Sequence, residues 1–357
     1  MLFGYPISAT HDNWLHDCIS ASVQTIHAAV DGNKKYPGWP TVLPAPYRKI
    51  LNLRTGLRDR LKAYNTAVRK LQKLERDALL DALHNENRIA DLVSGACDCV
   101  TLDKLPKVAQ GPASELFSFA FDLLTDLGVR DQQYAKIYAS AAEHVCSFCG
   151  TEYFDAPGAA REALDHYLPR SRYAFAAANL RNLVPMGYKC NSSYKLASDL
   201  LRRDDGTRRV AFDPYNHAKL SISLDASEPF DGVDAHTPKW EIRFDPDTPA
   251  VTTWDDVFSV RLRYQRDHLD PSFRGWLSLF AKAARRAGVQ ANSDAALIAE
   301  LRRLEEGFND TGFQDRGFLK AAVFRMLRRH CENGHKRLLE QLRSLVAPPA
   351  PLPPITV

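Results

Sequence analysis

Apolar residues recur every three or four positions through most of this 357-residue chain, which is the spacing of one helix face. In the first 150 residues the pattern predicts a helix near the N-terminus with Trp14 on its apolar face, a single long helix over 48 to 93, and two more at 112 to 127 and 131 to 144. The apolar stripe over 48 to 93 is close to a heptad repeat. This long helix is therefore expected to pack against the core, or to form a hairpin or a homodimer.

The pattern changes in the second half of the chain. Residues 208 to 262 show strand-like alternation between turns rich in Asp, Pro and Gly, in R-R-V-A-F-D-P-Y-N-H, L-S-I-S-L, W-E-I-R-F and V-F-S-V-R-L-R-Y. Residues 273 to 346 return to helical spacing, with breaks expected near Gly288, at 309 to 312 and at a turn formed by Asn333 and Gly334. The tail A-P-P-A-P-L-P-P-I-T-V is too rich in proline to pack a core and is expected to be extended or disordered. The sequence therefore predicts a mainly helical α+β fold with a small β-rich appendage, divided into residues 1–143, 144–205, 206–265, 266–346 and 347–357.

Composition is that of an ordinary globular protein, with 45% hydrophobic and 25% charged residues. The longest apolar runs fall far short of the roughly 20 residues that a membrane span requires, so a membrane role is not expected. The seven cysteines are odd in number and have no regular spacing, and no signal peptide is evident. These features predict a protein of the reducing cytoplasm.

Positive charge is concentrated in two segments, although the net charge is only +4. Residues 48–77 contain ten Lys and Arg against three acidic residues, and residues 316–346 contain eight against two. Such surfaces neutralise phosphates and release counterions, with little preference for sequence. Both segments are candidate nucleic-acid surfaces; the alternative is that each is the solvated face of an amphipathic helix.

An Asp-His pair is the centre of the candidate chemistry. Asp165 and His166 lie in L-D-H-Y-L-P-R-S, which predicts a strand ended by Pro169. A carboxylate oxygen suits Mg²⁺, and a neutral imidazole can accept a proton near pH 7. Arg170 and Ser171 add a cation and a hydroxyl that can bind a phosphate. An isolated Asp-His pair can also do no more than cap a turn, so the residues that follow decide between these roles.

Downstream residues supply further oxygen and cationic groups. N-L-V-P at 182 to 185 predicts a short strand, and C-N-S-S-Y-K-L-A predicts the start of a helix with Asn191 in its first turn. The order strand, loop, strand, helix returns this helix to the Asp-His pair. Asn191 can then offer its side-chain oxygen as a second Mg²⁺ ligand, and Lys195, one turn further, can face the same phosphate. The helix is expected to continue, with an apolar face formed by Leu196, Leu200 and Leu201.

This segment resembles the HNH, or ββα-metal, nuclease family over roughly residues 144 to 200. The resemblance rests on D-H-x-x-P-x-S, then N-L, then C-N, with 16 residues from His166 to Asn182 and 9 from Asn182 to Asn191. It implies that His166 is the general base and that Asn182 ties the loop to the strand of His166. It also implies that Asp165 and Asn191 hold the catalytic Mg²⁺ or Mn²⁺.

The resemblance implies an embedded nuclease core that hydrolyses phosphodiester bonds of nucleic acid as an endonuclease. In this reaction water deprotonated by His166 attacks in line and leaves a 5′-phosphate and a 3′-hydroxyl. We expect DNA as the substrate, while the sequence leaves RNA and single strands open. HNH cores with large unrelated flanks resemble bacterial restriction and anti-phage defence nucleases, so a defence role is expected by analogy.

Three cysteines form a candidate zinc site beside this core. Many HNH proteins hold the ββα unit with zinc bound by two C-x-x-C pairs, and Cys146 and Cys149 form the first pair. In the second pair Cys190 is present, but position 187 is a glycine. The alternative is that zinc has been lost and the cysteines are small core residues. If zinc is bound, its fourth ligand must come from elsewhere, with candidates His144, Cys331 and His335.

Two other functions remain open from the sequence. The ββα unit can be a zinc-stabilised nucleic-acid-binding module that does not cut. Alternatively, the long helix and the Pro-rich tail can dock a regulatory protein partner, which is compatible with nuclease activity. Cleavage is favoured because a site that no longer cuts has no reason to keep the four residues Asp165, His166, Asn182 and Asn191.

Overall fold

The computed structural model describes residues 1–141, 143–159, 164–216, 219–234 and 236–347. Helices make up 58% of the described residues, and the strands among them form three antiparallel pairs. The predicted fold class, mainly helical α+β, is therefore confirmed. The chain forms two compact units, which are Met1–Lys219 with Thr248–Phe258, and Leu220–Asp247 with Ser259–Val357.

The first unit begins with helices whose apolar faces form its core. α1 packs against α3 and α6, and the three helices bury residues such as Ile19, Leu61 and Phe117. The helix predicted near the N-terminus and the two predicted after residue 111 are confirmed as α1, α6 and α7. Gly128, with a φ of 70°, makes the turn between α6 and α7. The α-helices of this part are α1 (Trp14–Asp31), α2 (Arg48–Leu51), α3 (Thr55–Val68), α4 (Lys73–Glu86), α5 (Ile89–Ser94), α6 (Lys107–Asp126) and α7 (Val129–Ser140).

The single helix predicted over residues 48 to 93 is wrong, because the segment folds as the four helices α2 to α5. A capping box formed by Gln72 and Glu75 starts α4, and it satisfies backbone donors that a continuous helix would satisfy internally. The apolar stripe is broken accordingly, with Leu53 and Leu74 exposed. The predicted stripe is therefore distributed over several helices instead of running along one.

Two short strands and a short helix follow this helical frame. β1 (Leu164–His166) pairs with β2 (Leu183–Pro185), and a helix of π type, Cys190–Lys195, comes next; we call it the site helix. Gln133 of α7 fixes the strand pair on the frame, because its side-chain amide donates to the carbonyl oxygens of Leu180 and Leu183. The predicted order of strand, loop, strand and helix is confirmed.

The site helix is shorter than predicted. It ends at Lys195, because Leu196 adopts a left-handed φ of 48°. Leu196 is also exposed, and Leu200 and Leu201 are buried in the irregular chain beyond the helix. The apolar face predicted from these three leucines is therefore wrong as a helix face.

The β-rich appendage is confined to a few short strands. Ser221–Ser223 pairs with Arg243–Asp245, and Glu228–Asp231 pairs with Pro238–Lys239. The segment R-R-V-A-F-D-P-Y-N-H, predicted as a strand, contributes only an isolated bridge at Arg208 among its described residues, and His217 lies outside them.

The strand predicted in V-F-S-V-R-L-R-Y is also wrong. Apart from Ser259 the segment is helical, and it lies in Pro249–Phe258, Val260–Arg263 and the start of a π-type helix, Tyr264–Leu269. Val257, Val260 and Tyr264 are buried and are spaced by three and four residues, so the helical periodicity of this segment prevails over its alternation.

The second unit is helical after its strands. Breaks predicted near Gly288, Gly312 and Gly334 are confirmed, and all three glycines have positive φ. The longer helices are Asp270–Arg286, Asp294–Thr311, Gly317–Glu332 and Lys336–Val346. Of the predicted Pro-rich tail, residues 348–357 lie outside the described residues. Among the described helices, none has the length and apolar character needed to span a membrane.

Candidate functional site

His166 ends β1 and is almost completely buried. Its Nε2 lies 2.9 Å from the carbonyl oxygen of Ala177, which can only accept, so Nε2 carries the proton and Nδ1 holds the lone pair. The ring packs on Phe121 with centroids 4.4 Å apart. Burial lowers the pKa of His166 to about 4, against the opposing influence of Asp165. The imidazole is therefore neutral near pH 7 and can accept a proton.

Asp165 lies beside His166 in β1 and is paired with Lys195 of the site helix. Lys195 Nζ is 3.4 Å from Asp165 Oδ2, and the lysine side chain is 1% exposed while that of the aspartate is 27% exposed. Burial lowers the pKa of Lys195, and Asp165 opposes that shift. Lys195 is thus turned inward onto the carboxylate, a contact that the sequence did not indicate. Asn191 lies one turn earlier on the same helix and is half-buried.

Asn182 joins the two ends of the loop that follows β1. Its side chain is fully buried, Oδ1 accepts from the amide of Leu168 at 2.7 Å, and Nδ2 donates to the carbonyl oxygens of Leu168 and Ala176. Its own carbonyl oxygen accepts from the amide of Tyr167. Asn182 therefore fixes the loop segment that presents the Ala177 carbonyl to His166.

Glu86 supports the same loop from α4. Its Oε2 accepts from the amide of Phe175 at 2.8 Å, in the short turn that precedes Ala177. The side chain is fully buried, and burial raises its pKa well above the ordinary value. The carboxyl is therefore protonated well above pH 4.5. Sequence reasoning missed Glu86, because nothing near it in the chain signals a contact 89 residues away.

Two arginines flank the ring on which His166 packs. The guanidinium of Arg130 lies 4.4 Å from the centroid of Phe121, and that of Arg170 lies 5.6 Å from it. Arg170 is exposed, so it offers a cation beside His166 that can bind a phosphate. Ser171 lines a cavity of about 730 Å³ whose lining does not include Asp165, His166 or Arg170.

Cys146, Cys149 and Cys190 meet in one buried cluster, where their sulfurs all lie within 4.8 Å of one another. None of the seven cysteines forms a disulfide. A tetrahedral zinc site with Zn–S of about 2.3 Å places its sulfurs roughly 3.8 Å apart, so the cluster fits zinc. Burial raises the pKa of Cys146, and the other cluster thiols raise that of Cys190.

The chain turns between Cys146 and Cys149, and the amide of Gly150 closes this turn by donating to the Cys146 carbonyl oxygen at 2.7 Å. The cluster can hold a metal ion such as zinc.

The three predicted fourth ligands lie elsewhere. His144 stacks on Tyr138 with ring centroids 3.6 Å apart, and its Nε2 donates to the Tyr138 carbonyl oxygen. Cys331 and His335 belong to the second unit, where His335 accepts from the amide of Leu338 at a helix start. Among the described residues, the group of mutually close metal-ligand atoms contains the three sulfurs alone.

The two basic segments differ in how their charge is used. In 316–346, six of the eight basic residues form ion pairs within the second unit, with Asp225, Asp231, Asp294, Glu305, Asp315 and Glu332. In 48–77, Lys49, Lys62 and Lys70 are exposed. Residues 48–77 are therefore the better candidate for a phosphate-binding surface. They lie in the first unit, the unit that contains the Asp-His pair.

No family model, curated protein or solved structure matches this chain.

Proposed function

We propose that this chain is a metal-dependent endonuclease that hydrolyses phosphodiester bonds of nucleic acid, with DNA as the expected substrate. The observation that carries the proposal is the setting of His166, whose Nε2 is committed to the Ala177 carbonyl oxygen beside the carboxylate of Asp165. An imidazole held in one tautomer is suited to accept a proton at a fixed position. The strand, loop, strand, helix order and the resemblance to the HNH family support the same proposal.

His166 would take a proton from the attacking water at Nδ1. The imidazolium formed would be stabilised by the neighbouring carboxylate of Asp165, which favours the protonated form. The water oxygen would attack phosphorus in line, and the bond to the 3′-oxygen would break. The 3′-oxygen would take a proton from solvent water, leaving a 5′-phosphate and a 3′-hydroxyl. Arg170 would hold a phosphate oxygen beside the ring of His166.

Asp165 and Asn191 would hold the catalytic Mg²⁺ or Mn²⁺, since both offer the oxygen ligands that these ions prefer. The side chain of Asp165 is 27% exposed, so its carboxylate is open to an ion from solvent. The ion would supply charge that stabilises the phosphate as negative charge develops on it.

The alternative is a nucleic-acid-binding module that does not cut. The contact of Lys195 with Asp165 favours this alternative, because the ammonium uses part of the negative charge that would attract a divalent ion. The two functions differ in one measurable respect. A binding module retains nucleic acid in the presence of Mg²⁺ and leaves it intact.

The deciding experiment compares purified wild-type protein with His166→Ala on plasmid, linear duplex, single-stranded DNA and RNA, with Mg²⁺, Mn²⁺ or EDTA. Removal of a positioned base costs about 10² to 10⁴ in rate, so His166→Ala should bind but scarcely cut. His144→Ala is the matched control, because His144 packs on Tyr138 outside the site. Cleavage by His166→Ala within a few-fold of wild type would overturn the proposal.

By analogy with HNH nucleases that carry large unrelated flanks, we place this activity in bacterial defence against phage. Expression of wild-type protein in a susceptible bacterium should lower phage plaque counts, and expression of His166→Ala should not. Equal protection by both would separate any defence role from cleavage.

A further inference from the structure

The side chain of Glu152 fills the space in front of Gly187. Position 187 is where the second C-x-x-C pair would have its first cysteine, three residues before Cys190. A Cβ at Gly187 would lie 2.6 Å from the carboxyl carbon and from Oε2 of Glu152, which is closer than such atoms approach. The carboxylate therefore occupies the place that a cysteine side chain at 187 would need.

The Glu152 carboxylate is held directly against the cysteine cluster. Its Oε2 lies 3.6 Å from Cys149 Sγ and accepts from the amide of Cys190 at 3.4 Å. Its Oε1 accepts from the amide of Lys189 at 2.8 Å. The backbone carbonyl oxygen of Glu152 accepts from the amide of Cys146 at 2.8 Å. Glu152 thus contacts the segments of all three cysteines.

We propose that Glu152 is the fourth ligand of a structural zinc site with Cys146, Cys149 and Cys190. A tetrahedral site with Zn–S of about 2.3 Å and Zn–O of about 2.1 Å requires an S···O separation of roughly 3.6 Å. The separation of Cys149 Sγ from Glu152 Oε2 is 3.6 Å. Because the mutually close group among the described residues contains only the sulfurs, Oε2 must turn toward the centre of the sulfur triangle as zinc binds. That movement gives up the long contact of Oε2 with the Cys190 amide, at 3.4 Å.

Backbone donors around the cluster suit a site with this charge. Three thiolates and one carboxylate outweigh the charge of Zn²⁺, and the three thiols release their protons to solvent when the metal binds. The amide of Gly187 donates to the Cys146 sulfur, and the amide of Lys189 donates to Glu152 Oε1. These donors offset the excess negative charge. Structural zinc sites have four protein ligands. Glu152 would supply the fourth ligand, which a cysteine would supply if position 187 were not glycine.

The zinc site holds the start of the site helix, whether or not the chain cuts nucleic acid. Its test is therefore metal binding, which is read without any cleavage assay. Purified full-length protein should contain about one zinc per chain. Glu152→Gln keeps the shape and removes the anionic ligand, so its zinc affinity, measured by competition with a chromophoric chelator, should fall by more than the 10- to 100-fold that outer-shell changes cause. Asp155→Asn, an exposed acid three residues away, is the control and should bind zinc as wild type does.

A second variant separates ligation from folding. Glu152→Gly should lose zinc affinity, and Glu152→Gly combined with Gly187→Cys should recover it, because the space at position 187 is then open to a fourth thiolate. With Co²⁺ in place of zinc, the rescued protein should show stronger sulfur-to-cobalt charge-transfer absorption than wild type, since four thiolates replace three. Wild-type affinity in Glu152→Gln, or a wild-type protein that binds no zinc, would overturn the proposal.

Discussion

Lys195 and Asp165 form an ion pair of unequal exposure. Nζ lies 3.4 Å from Oδ2, and the lysine is buried while the aspartate is partly open to solvent. The Asp165 carboxylate therefore contacts the buried ammonium of Lys195 on one side and is open to a cation from solvent on the other. Under the proposed function, a divalent ion at Asp165 would meet a carboxylate whose charge is already partly neutralised.

This geometry predicts opposite effects of Lys195→Met on metal binding and on turnover. Removing the ammonium restores the full charge of Asp165, so the Mg²⁺ concentration for half-maximal cleavage should fall, by up to about tenfold for one nearby charge. Maximal cleavage should also fall, because Asp165 loses the contact that fixes its carboxylate. A Mg²⁺ titration of the cleavage rate measures both quantities.

Lys189→Met is the control for this pair, because Lys189 is an exposed lysine six residues earlier in the same region. It should leave both the Mg²⁺ requirement and the maximal rate near wild type. If Lys195→Met raised the Mg²⁺ requirement, the ammonium would be helping the metal to bind and the competition argued above would be incorrect.

Glu86 yields a prediction about stability and pH. Burial raises its folded-state pKa above the ordinary value of 4.5, so the folded protein binds a proton that the unfolded chain releases. Stability from this group is present below pH 4.5 and is lost as pH rises, at up to about 1.4 kcal/mol per pH unit until the folded-state pKa is reached. Glu86→Gln is neutral at every pH and retains an oxygen for the amide of Phe175. It should therefore be more stable than wild type at pH 7.

The measurement is the free energy of unfolding by urea at several pH values. The advantage of Glu86→Gln should grow as pH rises above 4.5 and vanish near pH 4. Glu115→Gln, at an exposed position of α6, should show no such trend. A Glu86→Gln protein that is less stable than wild type at pH 7 would mean that the carboxylate is ionised in the fold.

Local patterns in the sequence predict the parts of this fold that depend on neighbouring residues. α1, α6 and α7 follow from apolar spacing, and the breaks near Gly288 and Gly312 follow from glycines that adopt positive φ. The prediction of one long helix failed because the breaks between its four helices, at residues 52–54, 69–72 and 87–88, contain no proline or glycine. Its capping box uses Gln72 in place of the usual serine or threonine, so the start of α4 has a weak signal.

In the candidate site, too, the sequence predicts the features that depend on neighbouring residues and misses those that depend on contacts between distant segments. Motif spacing predicts Asp165, His166, Asn182 and Asn191 as site residues. It does not predict their hydrogen-bond and ion-pair partners, because tertiary contacts determine these. Nothing in the motif indicates that Lys195 turns inward onto Asp165 or that Ala177 holds His166. Glu152 had one available signal, since a glycine at position 187 leaves space that another side chain must fill.

Asn182→Ala should reduce both stability and cleavage. The substitution leaves the amide of Leu168 and the carbonyl oxygens of Leu168 and Ala176 without the partner they have in the buried loop. Loss of such buried hydrogen bonds costs about 1 to 3 kcal/mol for each group left unsatisfied. The urea midpoint should fall accordingly. Asn191→Ala, on the half-exposed site helix, should leave the midpoint near wild type and impair only the metal-dependent reaction.

Because His27 is buried and its pKa is lowered, we predict that the folded protein loses stability in mild acid. It is buried in α1, its Nε2 lies 3.0 Å from the hydroxyl of Tyr64, and burial lowers its pKa to about 4. The charges that act on it are those of Asp31 and Asp77, which raise its pKa, and of Arg76 and Lys73, which lower it. Since the ordinary pKa is 6.5, the unfolded chain binds a proton between pH 6.5 and 4 that the folded protein does not. Stability is therefore complete above pH 6.5 and is lost as pH falls toward 4, at up to about 1.4 kcal/mol per pH unit.

The test is His27→Gln, which can still hydrogen-bond to Tyr64 and cannot titrate. The free energy of unfolding of wild type should fall relative to that of His27→Gln as pH is lowered from 6.5 to 4, and the two should run parallel above pH 7. His84→Gln, at an exposed position of α4, is the control and should track wild type throughout. A constant difference between wild type and His27→Gln across this window would mean that His27 accepts its proton in the folded protein, with water or a shifted Tyr64 solvating the imidazolium.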